Sequence, residues 1–241
     1  MLEYHGGSST WRDFETLTFT HNLFIVKFPK HLNPWWITEE QFQRKNRRGY
    51  QYYPMEESLL VFKNGETWFQ NWRLPNPPGM MPFFNYKVIF LPWLTLEDGA
   101  SITYSGIKKL PQDHGAFETV KLQFDPKVTT NPKDYLRLFI NPQSGQLMGV
   151  EYNSTYAPML DQMKVKGDQF GPGFHVYHRF TEVSGLKIAS HYSTFFSDSL
   201  AGTHAVSNIK INADFDEEKA HRKGEYIKDT AHPTLRRAVS D

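Results

Sequence analysis

Ten histidines punctuate the sequence, and His175, His178 and His191 fall on two neighbouring segments that read as strands. Three imidazoles brought together could ligate a metal ion or supply a general base. Their spacing argues against both. His175 and His178 stand an odd number of residues apart, and a strand turns successive side chains to opposite faces, so one ion cannot reach both without a bulge. Exposed or hydrogen-bonded strand histidines are the plainer reading, and enzymatic use of the three would require a common polar pocket.

The remaining polar motifs are weaker. Asp125, Asp134 and Asp161 have no spacing that sets two carboxylates side by side for acid–base work, and they read as turn residues. Gly167, Gly171 and Gly173 in GDQFGPGF form no G-x-G-x-x-G between a strand and a helix, so a loop is expected. Asn153-Ser154-Thr155 fits the glycosylation sequon, a pattern short enough to arise by chance. Neither a nucleophile elbow nor H-E-x-x-H occurs. The expectation is a protein that is not an enzyme and holds no metal or cofactor.

What stands out instead is aromatic: Trp35, Trp36, Trp68, Trp72 and Trp93, with Phe83, Phe84, Tyr86 and Phe90. Taken singly, most of these would fill the core of a large sheet. In PFFNYKVIFLPWLTLEDG, residues 82 to 99, Phe83, Tyr86, Phe90 and Leu94 recur at helical spacing, while Phe84, Val88 and Leu91 cover a second face. The longest apolar run, Val88 to Leu94, is far short of the roughly 20 residues of a membrane-spanning helix. Pro92 should kink or restart the helix, and Asp98-Gly99 should end it. A helix apolar on two faces buries one against strands and leaves the other facing either a second layer or a cavity. Both outcomes stay open. If a cavity is there, the ligand-binding set is Phe83, Tyr86, Phe90, Trp93 and Leu94, joined by Trp68 and Trp72.

The elements that would position this helix are strands. LLVFKNGETWFQ reads as a hairpin with Asn64-Gly65 in a type I′ turn and Lys63 facing Glu66. VKLQF aligns Val120, Leu122 and Phe124; LRLFI aligns Leu136, Leu138 and Ile140; QLMGVEY aligns Met148, Val150 and Tyr152. FHVYHRF turns at Ser184-Gly185 into LKIASHYSTFF, and SNIKINADF follows. LTFTHNLFIVKF begins with Leu17 and Phe19 inward and ends with Phe24, Val26 and Phe28 as its apolar set, which predicts a phase change or bulge near Asn22. TEEQFQRKNRR has Phe42 as its only apolar residue and reads as strand or loop rather than helix. The charged tail from Asp214 is expected on the surface or frayed.

Composition sets outer limits. With 241 residues and 39% hydrophobic content, one domain spanning 1–241 is expected, with a charged C-terminal tail from about 216. The net charge of +1 offers no field for nucleic acid. No cysteine is present, which excludes disulfides and thiolate chemistry but does not fix a compartment. The opening LEYHGGSSTW has no basic and apolar leader, so an exported protein would carry its leader ahead of Met1.

Four segments taken in order are similar to a known family: LEYHGGSSTWRDFETLTFT, NYKVIFLPWLTLEDGASITYSG, DYLRLFINPQSGQLMGVEY and YHRFTEVSGLKIASHYSTFF. Their His-Gly-Gly…Trp opening, Pro-containing apolar helix and Asn-Pro-x-x-Gly hairpin resemble an uncharacterised family of exported bacterial proteins related to the LolA/LolB-like lipoprotein carriers. The resemblance implies a mainly β (α+β) fold: a strongly curved antiparallel sheet forming an unclosed half-barrel, with helices packed on its concave side. It also implies a periplasmic or outer-membrane-associated location. Carriers of that superfamily hold acyl chains between sheet and helices. Pro92 and Trp93, and the basic segment HLNPWWITEEQFQRKNRR, depart from what a wide acyl cavity would favour.

Two functions follow from these readings. One is a monomeric, non-enzymatic envelope protein that binds a lipid, an acyl chain or another hydrophobic molecule between sheet and helix. The other is a structural or interaction protein of the envelope with a filled core, engaging a second envelope protein through sheet edges or the NPWW loop.

Overall fold

The alternating segments become the strands of one antiparallel sheet. The computed structural model describes residues 1–26, 33–113, 115–129, 131–221 and 224–229. The strands of the first half are β1 (Thr16–Ile25), β2 (Trp35–Gln43), β3 (Arg48–Tyr53), β4 (Ser58–Lys63), β5 (Glu66–Gln70) and β6 (Ala100–Lys109). Those of the second half are β7 (Ala116–Phe124), β8 (Tyr135–Ile140), β9 (Leu147–Ser154), β10 (Phe170–Val183), β11 (Leu186–Phe196), β12 (Ser199–Ile211) and β13 (Ile227–Asp229). Among the described residues four short α-helices accompany them: α1 (Gly7–Asp13), α2 (Met80–Ile89), α3 (Ala157–Gln162) and α4 (Glu217–Ala220). Among the described residues the sheet has 13 strands in the order β13-β5-β4-β3-β2-β1-β12-β11-β10-β9-β8-β7-β6, with free edges at β13 and β6.

Local chemistry sets the hairpins. Asn64 and Gly65 both take positive φ, 49° and 82°, and Lys63 pairs with Glu66 across the β4–β5 turn. Ser184 and Gly185 do the same at 49° and 80° between β10 and β11. TEEQF is strand β2, as its lack of an apolar stripe requires.

One helix makes the curvature of the sheet visible. Phe62 on β4 and Leu136 on β8 each face α2 across small voids, yet β4 is third and β8 eleventh in the strand order. Eight spacings of about 4.8 Å would separate them by about 38 Å on a flat sheet, whereas a helix is about 10–12 Å across. The sheet therefore curls around α2 as an unclosed half-barrel, and α2 lies on its concave side.

The main core is the contact between that helix and the sheet. Val88, Ile89, Phe90, Leu91 and Leu94 join Leu17, Phe42, Leu60, Leu122, Leu138 and Val150 in one buried cluster. The α-helix stops at Ile89, and beyond Pro92 a single 3-10 turn, Trp93–Leu96, carries the chain to Gly99, whose φ is 75°.

The His-Gly-Gly…Trp opening clamps this turn. His5 Nε2 accepts the backbone N–H of Leu147 at 3.1 Å, so its Nδ1–H donates to the Lys187 carbonyl, also at 3.1 Å. Gly6, at φ 107°, lies so close to the β10–β11 turn that a Cβ would stand 2.0 Å from the Gly185 oxygen. Trp11 stacks on Trp93, with centroids 5.4 Å apart and ring planes within 7°.

Three local expectations change. In β1 the buried set Leu17, Phe19, His21 and Leu23 never switches phase; Phe24 and Val26 are exposed, and the bulge lies between Thr18 and Thr20 rather than near Asn22. Phe28 lies outside the described residues. A register shift between Phe139 and Ile140 brings Leu147 into the main core and turns Met148 toward a second cluster of Leu110, Phe117, Phe139, Val176 and Phe195. β10 begins at Phe170, so Gly171 and Gly173 belong to a strand and not to a loop. The described part of the charged tail lies on the surface: Glu217 pairs with Arg48, Lys219 with Glu39, and β13 lies alongside β5. β6, at the opposite edge, exposes Ile102, Tyr104 and Ile107, and its pairing with β7 breaks between Tyr104 and Ile107.

Candidate functional site

The sheet and α2 do not meet along their whole length. Around the N-terminal half of the helix they leave a cavity of about 440 Å³, within the range of small-molecule sites. Leu23 and Ile25 of β1, Phe196 of β11, Leu200 and Ala201 of β12, and Met80 of α2 form its apolar walls. Gln162 and Met163, at the end of α3, and Ser199 line the solvent-exposed rim. Among the described residues no Asp, Glu, Lys or Arg lines it.

Asn76, Gln162 and Ser199 are polar members of the lining, and a further polar group is linked by hydrogen bonds. His175, Thr194 and His204 come from the adjacent strands β10, β11 and β12, and Asn85 comes from α2. Thr194 Oγ1 lies 2.9 Å from His175 Nδ1 and 2.7 Å from His204 Nε2. His204 Nδ1 lies 2.9 Å from His21 Nε2, and the Tyr192 hydroxyl oxygen stands 3.2 Å from the same nitrogen. On its other side His21 Nδ1 is 3.7 Å from Glu40 Oε1. One assignment satisfies the chain: His175 donates to Thr194, Thr194 to His204, His204 to His21, and His21 points its remaining N–H at Glu40.

Glu40 is fully enclosed. Thr38 at 2.6 Å and Asn85 at 2.5 Å donate to Oε1, and Gln51 at 2.8 Å donates to Oε2. Burial raises its carboxyl to about 7 against the pull of those three donors, while burial lowers His21 to about 4. Burial and the neighbouring His21 lower His175 to about 3, and burial above all holds His204 well below the usual imidazole range, though its half-buried ring borders the cavity. Near neutral pH the wall is thus a row of uncharged hydrogen-bonding groups leading from the cavity to a buried carboxyl.

The residues singled out in the sequence lie mainly elsewhere. Tyr86 and Phe90 pack against Phe42, with centroids 4.7 and 4.6 Å away. Trp93 stacks on Trp11, and Leu94 has no exposed surface. Trp72 backs the cluster of Leu23, Trp36, Tyr53 and Leu74, of which Leu23 lines the cavity. Trp68 lines a separate groove with Arg48, Lys63, His221 and Lys228. The Phe83 side chain lies outside the described residues. None of the other six lines the 440 Å³ cavity.

The three histidines of the sequence reading separate. His175 is buried on the cavity side, whereas His178 and His191 are exposed, with His178 Nε2 2.9 Å from Ser193 Oγ. Among the described residues no His, Asp and Glu cluster has the arrangement of a metal site. Asp125 accepts the Lys127 N–H at 2.8 Å, as a turn residue does, whereas the buried Asp134 accepts the backbone N–H of the distant Thr155 at 2.7 Å and its hydroxyl at 2.8 Å.

The polar wall was missed for want of one test. His21 shares the phase of Phe19 and Leu23, Glu40 that of Trp36 and Phe42, and His204 that of Val206. A polar residue in phase with buried neighbours on a strand must itself be buried and partnered.

The fold can be compared with solved structures. A LolA superfamily protein from Nitrosomonas europaea superposes with a TM-score of 0.55, covering 86% of this chain and 90% of that one at 10% identity. This chain has the LolA-like fold. A DUF1329 family protein from Desulfovibrio piger matches 86% of this chain and 89% of its own at 9% identity, with a TM-score of 0.49. The lipoprotein LppX from Mycobacterium tuberculosis covers 86% and 93% at 8% identity, with a TM-score of 0.26. No protein-family model matches the sequence, and no curated protein does. Identities this low speak to the fold, and in this LolA-like chain the chemistry must be argued from its own residues. No helix among the described residues is long and apolar enough to cross a membrane.

Proposed function

We propose that this protein is a non-enzymatic binding module that carries a lipid or other hydrophobic molecule between the sheet and α2. The observation that supports this most is the 440 Å³ cavity, apolar over most of its lining and reached past an exposed rim. The proposed site lies toward the N-terminal end of the helix, at Met80 and Asn85, rather than against Tyr86, Phe90, Trp93 and Leu94. Enclosing ten methylenes would contribute on the order of 8 kcal/mol gross, before the entropy lost on binding. That suits carriage with release. Lipid extraction and native mass spectrometry of the purified protein, with displacement of a fluorescent fatty acid, test the proposal; no lipid and no displacement would sink it.

The solid packing of Tyr86, Phe90, Trp93 and Leu94, with Trp35 exposed beside Phe24, favours a second reading. In it the protein is an interaction module of the envelope with no ligand. A negative result in the lipid experiments, together with capture of an envelope protein that a Trp35→Ala variant loses, would support it. The envelope location rests on the sequence resemblance, and cell fractionation of the native protein checks it.

A further inference from the structure

We infer that the guest is a single-chain amphiphile with a carboxyl head, its tail along Leu23, Ile25, Phe196 and Leu200 and its head on the His175–Thr194–His204 edge opposite Asn85. The inference rests on the binding function proposed above and narrows it.

Volume limits the tail. At the roughly 30 Å³ that one water takes up in the liquid, 440 Å³ holds on the order of 15 non-hydrogen atoms. That is room for one chain of about a dozen carbons with a small head. Besides Asn76, Gln162 and Ser199, the lining holds the linked group His175, Thr194 and His204 on adjacent strands, which can orient a polar head.

Charge limits the head. Among the described lining residues there is no Lys or Arg to give a permanently ionised phosphate or sulfate a counter-charge, and no Asp or Glu to do so for a quaternary ammonium. A carboxyl avoids both problems, because it can be neutralised where it binds. The wall already accommodates one such group: Glu40, at the far end of the relay, is held by Asn85 and by the burial that favours its protonated form.

Among the described residues the groups facing the head bring no compensating charge. They are His175 on β10, His204 on β12 and, behind them, His21 on β1, Glu40 on β2, Tyr192 on β11 and Tyr152 on β9. Lys87 on α2 lies beyond Tyr152 and His175, and Asp134 acts on it as the opposing charge. A carboxylate leaving water near neutral pH therefore takes up one proton, which stays on its own oxygen or on the histidine relay. Atoms balance as protein, carboxylate and one H⁺ giving one neutral complex. Above the usual carboxyl range, affinity then weakens about tenfold per pH unit.

Calorimetric titration of the full chain with dodecanoate, methyl dodecanoate, dodecyl sulfate and dodecyltrimethylammonium, at pH 6, 7 and 8 in two buffers of different ionisation enthalpy, tests this. The expected result is uptake of one proton with dodecanoate, a hundredfold loss of its affinity from pH 6 to 8, and binding of the two permanent ions at least tenfold weaker. An ester that binds as tightly as the acid at pH 6, or dodecanoate binding that is independent of pH, would overturn the head-group inference and leave the apolar carrier function standing. Failure of all four ligands would overturn both. His204→Gln should weaken dodecanoate about tenfold and the ester little, and an equal loss for both counts against the inference. If that variant does not fold, Thr194→Val poses the same question.

Discussion

His21 Nε2 lies 2.9 Å from His204 Nδ1, and the two imidazoles are nearly parallel, with planes 7° apart and centroids 5.2 Å apart. The pair joins β1 to β12 across the middle of the sheet, where Leu23 faces His204 and His21 faces Val206 in the register. It links the cavity edge at Thr194 to the enclosed Glu40. Because the rings are buried and uncharged, the link has consequences that pH can reveal.

The first prediction is acid lability. His21, His175 and His5 have folded-state values lowered to about 4, 3 and 4 from 6.5, and burial holds His204 well below 6.5 as well. In each case the unfolded chain binds its proton first, so the stability these groups contribute is complete above pH 6.5 and is lost as pH falls toward 4. Each contributes a slope of about 1.4 kcal/mol per pH unit. Urea denaturation at pH 7 and 5 checks this, and equal midpoints at the two pH values would contradict it.

Glu40 acts in the opposite sense. Its value is raised from 4.5 to about 7, so the stability it contributes is full below 4.5 and is lost as pH rises through 7. Glu40→Gln should therefore steepen the loss of stability between pH 7 and 4.5 by about one proton's worth, about 1.4 kcal/mol per pH unit. A slope of stability against pH that does not change in the variant would show that Glu40 titrates in its ordinary range.

The amino-terminal clamp predicts a contrast between two glycines. Gly6→Ala would push a methyl into the Gly185 oxygen at a φ of 107°, and should cost about 2–4 kcal/mol. Gly185→Ala, also at positive φ but with its nearest neighbour 3.6 Å away, should cost only about 1–2 kcal/mol. Chemical denaturation of the two variants decides whether close approach or backbone strain governs the turn.

Core and cavity should separate under mutation. Phe90→Leu removes a ring packed against Phe42, Trp11 and Tyr86, and should cost about 1–3 kcal/mol of stability while leaving the affinity for a fluorescent fatty acid unchanged. Met80→Trp, on the cavity wall, should do the reverse and weaken binding at least tenfold through lost volume. Parallel losses in both variants would place the ligand against the central aromatic cluster instead.

The sequence was most legible where chemistry is local. Asn64-Gly65 and Ser184-Gly185 demand positive φ, so their hairpins could be read directly, and Pro92 marked, to within a turn, the break between α2 and the 3-10 turn that follows. The cavity was not legible, because periodicity tells which face of Phe90 or Met80 points inward but not whether the facing layer fills the space. That depends on how far the sheet curls, which is a sum over many strands. The bulges that turn Met148 out and bring Leu147 in were hidden for a similar reason: either register satisfies an alternating pattern, and tertiary packing selects between them.

The sheet must also stop somewhere, and β6 is where it does so among the described residues. A strand that exposes Ile102, Tyr104 and Ile107 along a free edge would ordinarily template the stacking of further copies into fibres. Here the ladder breaks between Tyr104 and Ile107, with Gly106 at φ 78° and its carbonyl engaged by the Thr119 hydroxyl, and the strand ends on the exposed lysines 108 and 109. An incoming chain can match only a few residues before the kink and meets positive charge after it. The irregularity that looks like a flaw in the last hairpin therefore shortens the stretch of edge on which a further strand could pair.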